Sequence, residues 1–148
     1  MAERIRLSRA RGWSLPKGAV VVSRPSRWGN PFLVGQHGTR LQCGAMFGQL
    51  TRGFIDLGGN VPVEVQMTMY RRIRRYIIDL RGKDLACWCP LDGDGCHADV
   101  LLWIANPDQL CAEWMSHGVD IGRVRIGIDA PQLEKLNRAK ARKDRAHA

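Results

Sequence analysis

The chain lacks several things, and each absence narrows what it can be. No run of about 18 apolar residues occurs, so no membrane-spanning helix is expected. The N-terminus, Met1 to Arg11, carries four arginines and no apolar block behind them, which argues against a secretory signal and for a cytoplasmic protein. Common catalytic signatures are missing: there is no Walker loop, no G-x-G-x-x-G, no G-x-S-x-G and no H-E-x-x-H. The zinc-deaminase pair of H-x-E and P-C-x-x-C is absent too, and His97-Ala98-Asp99 is only a weak echo of it. Tyr and Phe are few, two and three against five Trp, and a buried Trp needs a partner for its N–H. No internal repeat is visible.

Acidic residues are scarce at both ends. Residues 1–60 hold nine Lys or Arg against two acids, residues 61–131 eight against ten, and residues 132–148 six against two. The formal charge of +9 therefore sits at the termini, around a near-neutral body. Such asymmetry suits a polyanionic partner, a nucleotide or nucleic acid. The plain alternative is a solvated basic surface. The cysteines number five, an odd count, with three of them between positions 87 and 96. That is not a secreted disulfide framework; in a reducing compartment such a cluster is more often metal-binding or catalytic.

An apolar fraction of 45% allows one packed domain at this length. The division expected is a basic, irregular segment 1–18, a single α/β domain 19–130 and a basic tail 131–148. Ala19–Ser23 reads as a fully buried strand bounded by Gly18 and Pro25. The loop to Phe32, with two prolines and a glycine, has a shape of its own. Gly44–Leu57 has helical spacing at Met46, Phe47, Leu50, Phe54 and Leu57. Val63–Arg81 is the clearest amphipathic helix, with arginines at 71, 72, 74 and 75 on its solvated side and Gly82 as its stop. Asp84–Cys89 is a second strand, followed by a helix over Cys96–Asn106. Pro107 opens a further helix burying Leu110, Cys111 and Trp114, Arg123–Ile128 alternates as an edge strand, and the tail is expected to order only on a partner.

This order implies a small Rossmann-like α/β fold, in two or three layers, with a short, mostly parallel sheet and a basic C-terminal tail. In such sheets ligands bind beyond the carboxyl ends of the strands. Both central strands run into unusual loops, Arg24–Phe32 and Pro90–His97. If the strands are neighbours, the loops meet and form one site.

Three readings of that site stand side by side. Cys87 and Cys89 are two apart on a strand and share a face, with Trp88 turned to the core. Cys96 and His97 open a helix, where backbone N–H groups favour anions and lower a thiol pKa. In the first reading Cys87, Cys89, Cys96 and His97 bind zinc. The tight spacing counts against it, since adjacent Cys96 and His97 do not readily face one ion. In the second, no cofactor is needed: Cys89, Cys96 and His97 lie near the chemistry, with His97 as general acid or base. Arg24 and Arg27 hold phosphate or carboxylate, Ser26 belongs to the same loop, Asn30 reads a polar edge, Trp28 stacks, and Asp99 complements the helix dipole. In the third, all are structural.

Arg24-Pro-Ser-Arg-Trp-Gly-Asn-Pro-Phe32, Leu85-Ala-Cys-Trp-Cys-Pro90 and Cys96-His-Ala-Asp-Val-Leu101 together resemble the small phage and bacterial proteins of the family known as domain of unknown function 4326. The resemblance covers about residues 17–106. It implies a phage-encoded protein of the host cytoplasm and brings no activity with it. A second resemblance, to a family with Cys-x-Glu followed by Cys-His-Arg, puts Cys89 where a Glu stands and implies that this position need not be a metal ligand. The expectation is a protein that binds a nucleotide- or nucleic-acid-related anion at the two-loop site, without a cofactor in its leading form and with zinc in the alternative one, with transfer or hydrolysis at a glycosidic or phosphate bond as the reaction class. The alternatives are a non-enzymatic DNA- or RNA-binding accessory protein, with or without zinc, and a phage protein that modulates a host protein. No membrane partner is expected, and the oligomeric state is left open.

Overall fold

In the computed structural model, which describes residues 1–93, 95–107, 128–129 and the single positions 138, 142, 145 and 146, three short strands form a parallel sheet. They are β1 (Arg4–Arg6), β2 (Val20–Val21) and β4 (Leu85–Cys87), in the order β1-β4-β2. Ile5 and Val21 both pair with Ala86. Flanking bonds extend the ladder, from Leu7 N–H to Cys87 O (2.9 Å) and from Val22 N–H to Ala86 O (2.9 Å). The central strand is covered on both faces: Leu85, Ala86 and Cys87 are all buried, as an apolar run without alternation requires.

The expected strands are both present but shorter, 20–21 within 19–23 and 85–87 within 84–89. Ala19–Ser23 is not fully buried. β2 is an edge strand, and Val21 is 37% exposed while Val22 is enclosed. The N-terminal segment is not wholly irregular either, because β1 lies within it. One Ile between two Arg is too short a pattern to announce a strand. Pairing with β4, some eighty residues away, creates it.

Helix α1 runs over Arg40–Thr51, shifted from the expected 44–57. Its start is a capping box: Gln42 N–H donates to Thr39 Oγ1 (3.2 Å) and Thr39 N–H to Gln42 Oε1 (2.8 Å). Its end is Gly53, at φ +95°, a left-handed position that suits glycine. Phe54 therefore leaves the helix and, with Ile55, forms β3, antiparallel to β5 (Ile128–Asp129). Helix α2 (Val63–Tyr76) continues as a 3-10 turn over Ile77–Leu80 and matches the expected element. Met69, Tyr70, Ile73 and Leu80 are buried, and Arg71, Arg74 and Arg75 are exposed. Helix α3 (His97–Ala105) also lies where it was expected.

Helix α3 packs on β1 and β4, α1 on α3, and α2 on α1. Phe47, Leu50, Ile55, Leu85 and Leu101 fill the interior. Fully buried Gln66 is satisfied by its own loop: its amide donates to Asp56 O and Val61 O (both 2.9 Å) and accepts from Asp56 N–H (2.8 Å). The α/β class and parallel sheet expected from the strand–helix order are present. Among the described residues no helix is long and apolar enough to cross a membrane. The expected helix after Pro107, with Leu110, Cys111 and Trp114, lies outside the described residues. So do Arg123–Gly127 of the expected edge strand and most of the basic tail.

Candidate functional site

Strands β2 and β4 are parallel neighbours, so the chain leaves both at the same edge of the sheet. The two loops that follow meet there, around a cleft of about 190 Å³. Arg24 and Asn30 line it from the first loop, Cys89, Cys96 and His97 from the second, and Arg40 from α1.

The floor is a cluster of thiols and one imidazole. Cys87 Sγ lies 3.9 Å from Cys89 Sγ and 3.7 Å from Cys96 Sγ, and Cys96 Sγ lies 3.6 Å from His97 Nδ1. The ligand atoms of Cys87, Cys96 and His97 are all within 4.8 Å of one another, and all three residues are buried. Cys89 is half-buried, and all four described cysteines are free thiols. The period of two on the strand brings Cys87 and Cys89 together as expected. Adjacent Cys96 and His97 were not expected to face one point readily, yet their ligand atoms converge. Cys96 is the extended N-cap of α3, at φ −114° and ψ 151°, and His97 is its first helical residue, so the backbone turns between them and the side chains converge.

The protonation states follow from the contacts. His97 Nε2 is 2.8 Å from Val22 O, an acceptor only, so Nε2 carries the hydrogen and Nδ1 presents its lone pair to the sulfurs. Burial pushes the His97 pKa down and keeps the ring neutral; the bond to Val22 opposes this more weakly. The edge of His97 meets Phe47 at 5.5 Å between ring centroids. Hydrogen bonds from Cys89 and Cys96 hold the Cys87 thiol well below its ordinary range, and the same proximity pushes Cys89 and Cys96 up. Three sulfurs and an imidazole nitrogen turned toward them are the donor types that a borderline-soft divalent cation takes.

Arg4 organises this floor, and the sequence patterns did not single it out. Its side chain is 8% exposed. Nε pairs with Asp99 Oδ1 (3.0 Å), NH1 donates to Cys89 O (3.0 Å) and NH2 to Pro90 O (2.5 Å). Asp99 Oδ2 in turn accepts from Cys96 N–H (3.1 Å), in a capping box whose other half is Cys96 itself. One guanidinium thus ties the edge strand to the Cys89 loop and, through Asp99, to the start of α3. Arg40 reaches the same loop through Asp92 (2.6 Å).

Helix α1 closes the other side by direct backbone approach. A Cβ on Gly44 would stand 2.9 Å from Gly95 O, whereas one on Gly48 would meet nothing within 4 Å. Alanine gains about 1 kcal/mol over glycine in a helix, and overpacking costs about 1–3 kcal/mol. Gly48→Ala is therefore expected to raise the urea midpoint. Gly44→Ala is expected to lower it and to shift the Cys96 environment; equal effects at the two positions would refute the close approach.

The first loop differs more from expectation. Asn30 is at the cleft, but its amide donates to Cys43 O (3.2 Å) and accepts from Phe32 N–H (2.9 Å), which shapes the loop. Arg24 donates to Asn30 O (2.7 Å) and remains exposed at the mouth. Ser26 accepts from Trp28 N–H (3.3 Å) and faces an adjoining groove. Trp28 is buried in the core, and Arg27 stacks on Trp28 and Tyr76 and pairs with Asp79, away from the cleft. Trp88, expected in the core, is 45% exposed at the cleft, with Arg9 4.9 Å above its ring. Both nitrogens of His97 are engaged inside the protein, so proton transfer to a ligand would first have to break the bond to Val22.

No curated protein and no solved structure matches the chain. The family described as Domain of unknown function (DUF4326) matches residues 5–107, a span that begins one residue inside β1, just after Arg4, and holds both loops, the thiol cluster and α3. With more than half of its length covered, including every residue of the cleft, the chain belongs to the DUF4326 family.

Proposed function

We propose that this protein binds zinc at Cys87, Cys89, Cys96 and His97, and that the cleft above receives an anionic, nucleotide-related ligand. One observation carries the metal assignment. With Zn–S near 2.3 Å and Zn–N near 2.0–2.1 Å, a tetrahedral site has S···S edges of about 3.8 Å and S···N edges of about 3.6 Å. Three of the six edges are close to these values, 3.9 and 3.7 Å between sulfurs and 3.6 Å from sulfur to nitrogen, while Cys89 stands outside the tight set of Cys87, Cys96 and His97. The bond from His97 Nε2 to Val22 O is the outer contact that fixes a metal-binding tautomer.

The anion reading rests on position and charge. The cleft lies beyond the carboxyl ends of parallel strands, where α/β sheets hold ligands. Arg24 and Arg40 flank it, and the half-exposed Trp88, with Arg9 over one face of its ring, lines it. The half-buried Cys89 favours a second form of the same reading. Cys87, Cys96 and His97 make the tight set, and Cys89 stands at the cleft side. Four ligands make zinc a staple, whereas three leave a Lewis acid facing the ligand, in keeping with transfer or hydrolysis at a glycosidic or phosphate bond.

Purified protein is expected to hold about one equivalent of zinc by mass spectrometry of the metal, the stoichiometry of one four-donor site; below a tenth of an equivalent the metal assignment fails. Cys89→Ala separates the two forms: full zinc retention supports the three-ligand form, and loss supports the staple. For the anion, calorimetry with nucleoside monophosphates should show binding that Arg24→Ala weakens about tenfold, near the 1.5–3 kcal/mol of a charge-assisted hydrogen bond. Unchanged affinity in Arg24→Ala would remove the arginine from the site.

A further inference from the structure

The cleft is smaller than what it would have to hold. At about 190 Å³ it falls below the ~300 Å³ at which pockets for whole small molecules begin. It does not end at its own rim. A groove of about 550 Å³ adjoins it and shares Arg24 and Asn30 with it. One wall of the groove is the 24–31 loop and the other is the outer face of α2, with Glu64, Thr68 and Arg72. A ligand longer than the cleft would meet the groove at Arg24, from which α2 leads away.

The path carries cations with defined positions. Arg24 stands where cleft and groove join, and Arg72 stands along α2 with NH1 on Arg27 O (2.6 Å), which leaves most of its five N–H donors for other acceptors. Next to it Arg27 and Arg75 both lie against the ring of Tyr76. Glu64 is the acidic residue of the groove, and Asp79 is paired with Arg27. The aromatic face is at the other end: Trp88 lines the cleft and not the groove. An aromatic platform joined to a basic groove is how single-stranded nucleic acids are held, base on ring and backbone on arginine.

Building on the anion reading of the cleft, we propose that the ligand is a nucleic-acid single strand, with one base at the cleft against Trp88 and the sugar-phosphate backbone running out along the groove on Arg24 and Arg72. A free mononucleotide would occupy only the first part of this track. A duplex would not fit, because its bases are not available to Trp88.

The test uses the full zinc-loaded chain and fluorescence anisotropy with a mixed-sequence 12-nucleotide strand, as DNA and as RNA. Competitors are an equimolar mixture of the four nucleoside monophosphates and the blunt duplex of the same sequence. The strand is expected to bind at least tenfold tighter than the monophosphates, with log K falling against log salt by about 0.7 per phosphate contacted. Arg72→Ala should weaken the strand several-fold and reduce that slope by about 0.7, without changing competition by the monophosphates. Thr68→Glu, which adds a charge at an exposed groove position, should act in the same direction, and unchanged zinc content shows that both variants fold. Monophosphates binding as tightly as the strand, or the duplex binding better than the strand, would overturn the inference while leaving the anion reading of the cleft standing. Failure of every nucleotide probe to bind would overturn both.

Discussion

Cys96→Ser is expected to abolish zinc binding and to destabilise the fold by about 4 kcal/mol, the linkage energy of a ligand held a thousandfold above its dissociation constant. Cys96 touches both other members of the tight donor set, Cys87 at 3.7 Å and His97 at 3.6 Å. A hydroxyl is a poor zinc ligand, so the metal is lost although the side chain keeps its shape. The control is chelation. Removing metal from the wild-type chain should lower its urea midpoint to that of Cys96→Ser, and chelator should leave the variant unchanged. A variant that retains zinc and responds to chelator like the wild type would refute the assignment. Metal-free protein should also lose stability in acid. The His97 pKa is lowered by burial, so below about 6.5 the unfolded chain takes up a proton that the folded chain refuses. This contribution is complete above the unfolded pKa and fades as pH falls toward the folded value. Between pH 7.5 and 5.5 the chelated protein should lose stability, and His97→Asn should lose less.

Arg4→Ala is expected to cost about 1–3 kcal/mol, as leaving partly buried acceptors without their donor does. It would leave the carboxylate of Asp99 and the carbonyls of Cys89 and Pro90 without their shared donor. The consequence reaches the proposed metal site. Asp99 holds Cys96 N–H, and Arg4 holds the carbonyl of Cys89, so two of the three sulfurs lose their support. Loss of outer contacts typically lowers metal affinity 10–100-fold. Arg4→Lys should recover little, because an ammonium cannot reproduce a planar fork reaching three acceptors. A double-mutant cycle with Asp99→Asn should give a coupling above 0.5 kcal/mol, the usual limit for independent sites. A loss below 0.5 kcal/mol in Arg4→Ala, with zinc affinity unchanged, would show that the side chain is passive.

The two predictions differ in how far the sequence announces them. The donors are legible because their signals are local. Cys87 and Cys89 share a face through the two-residue period of a strand. The N-terminus of α3 is marked by Cys96 and by Asp99 three residues on. The meeting of the two loops needed one further step, from strand–helix order to a parallel sheet, and β2 pairs with β4 accordingly. Arg4 is different. Its strand is three residues long, and its role depends on pairing with β4 and on facing Asp99, which lies 95 positions away in the chain.

The same division explains the remaining differences. The start of α1 was readable in Thr39 and Gln42, a capping box with no acidic residue to advertise it. The solvent exposure of Trp88 was not readable, because alternation along a strand says which residues share a face and not which face is covered. Nor was the placement of Trp28 in the core, since a loop has no period from which to infer a side. By itself, then, the sequence determined the donor types, their pairing on a strand and a helix start, and the basic charge. Tertiary structure alone decided that Cys96 and His97 turn toward Cys87, that Arg4 locks them, and that Trp88 and Arg72 face the open side. The physical reason is range. Periodicity and capping act between residues a few positions apart, whereas burial and ion pairing are set by whichever distant segments the core brings together.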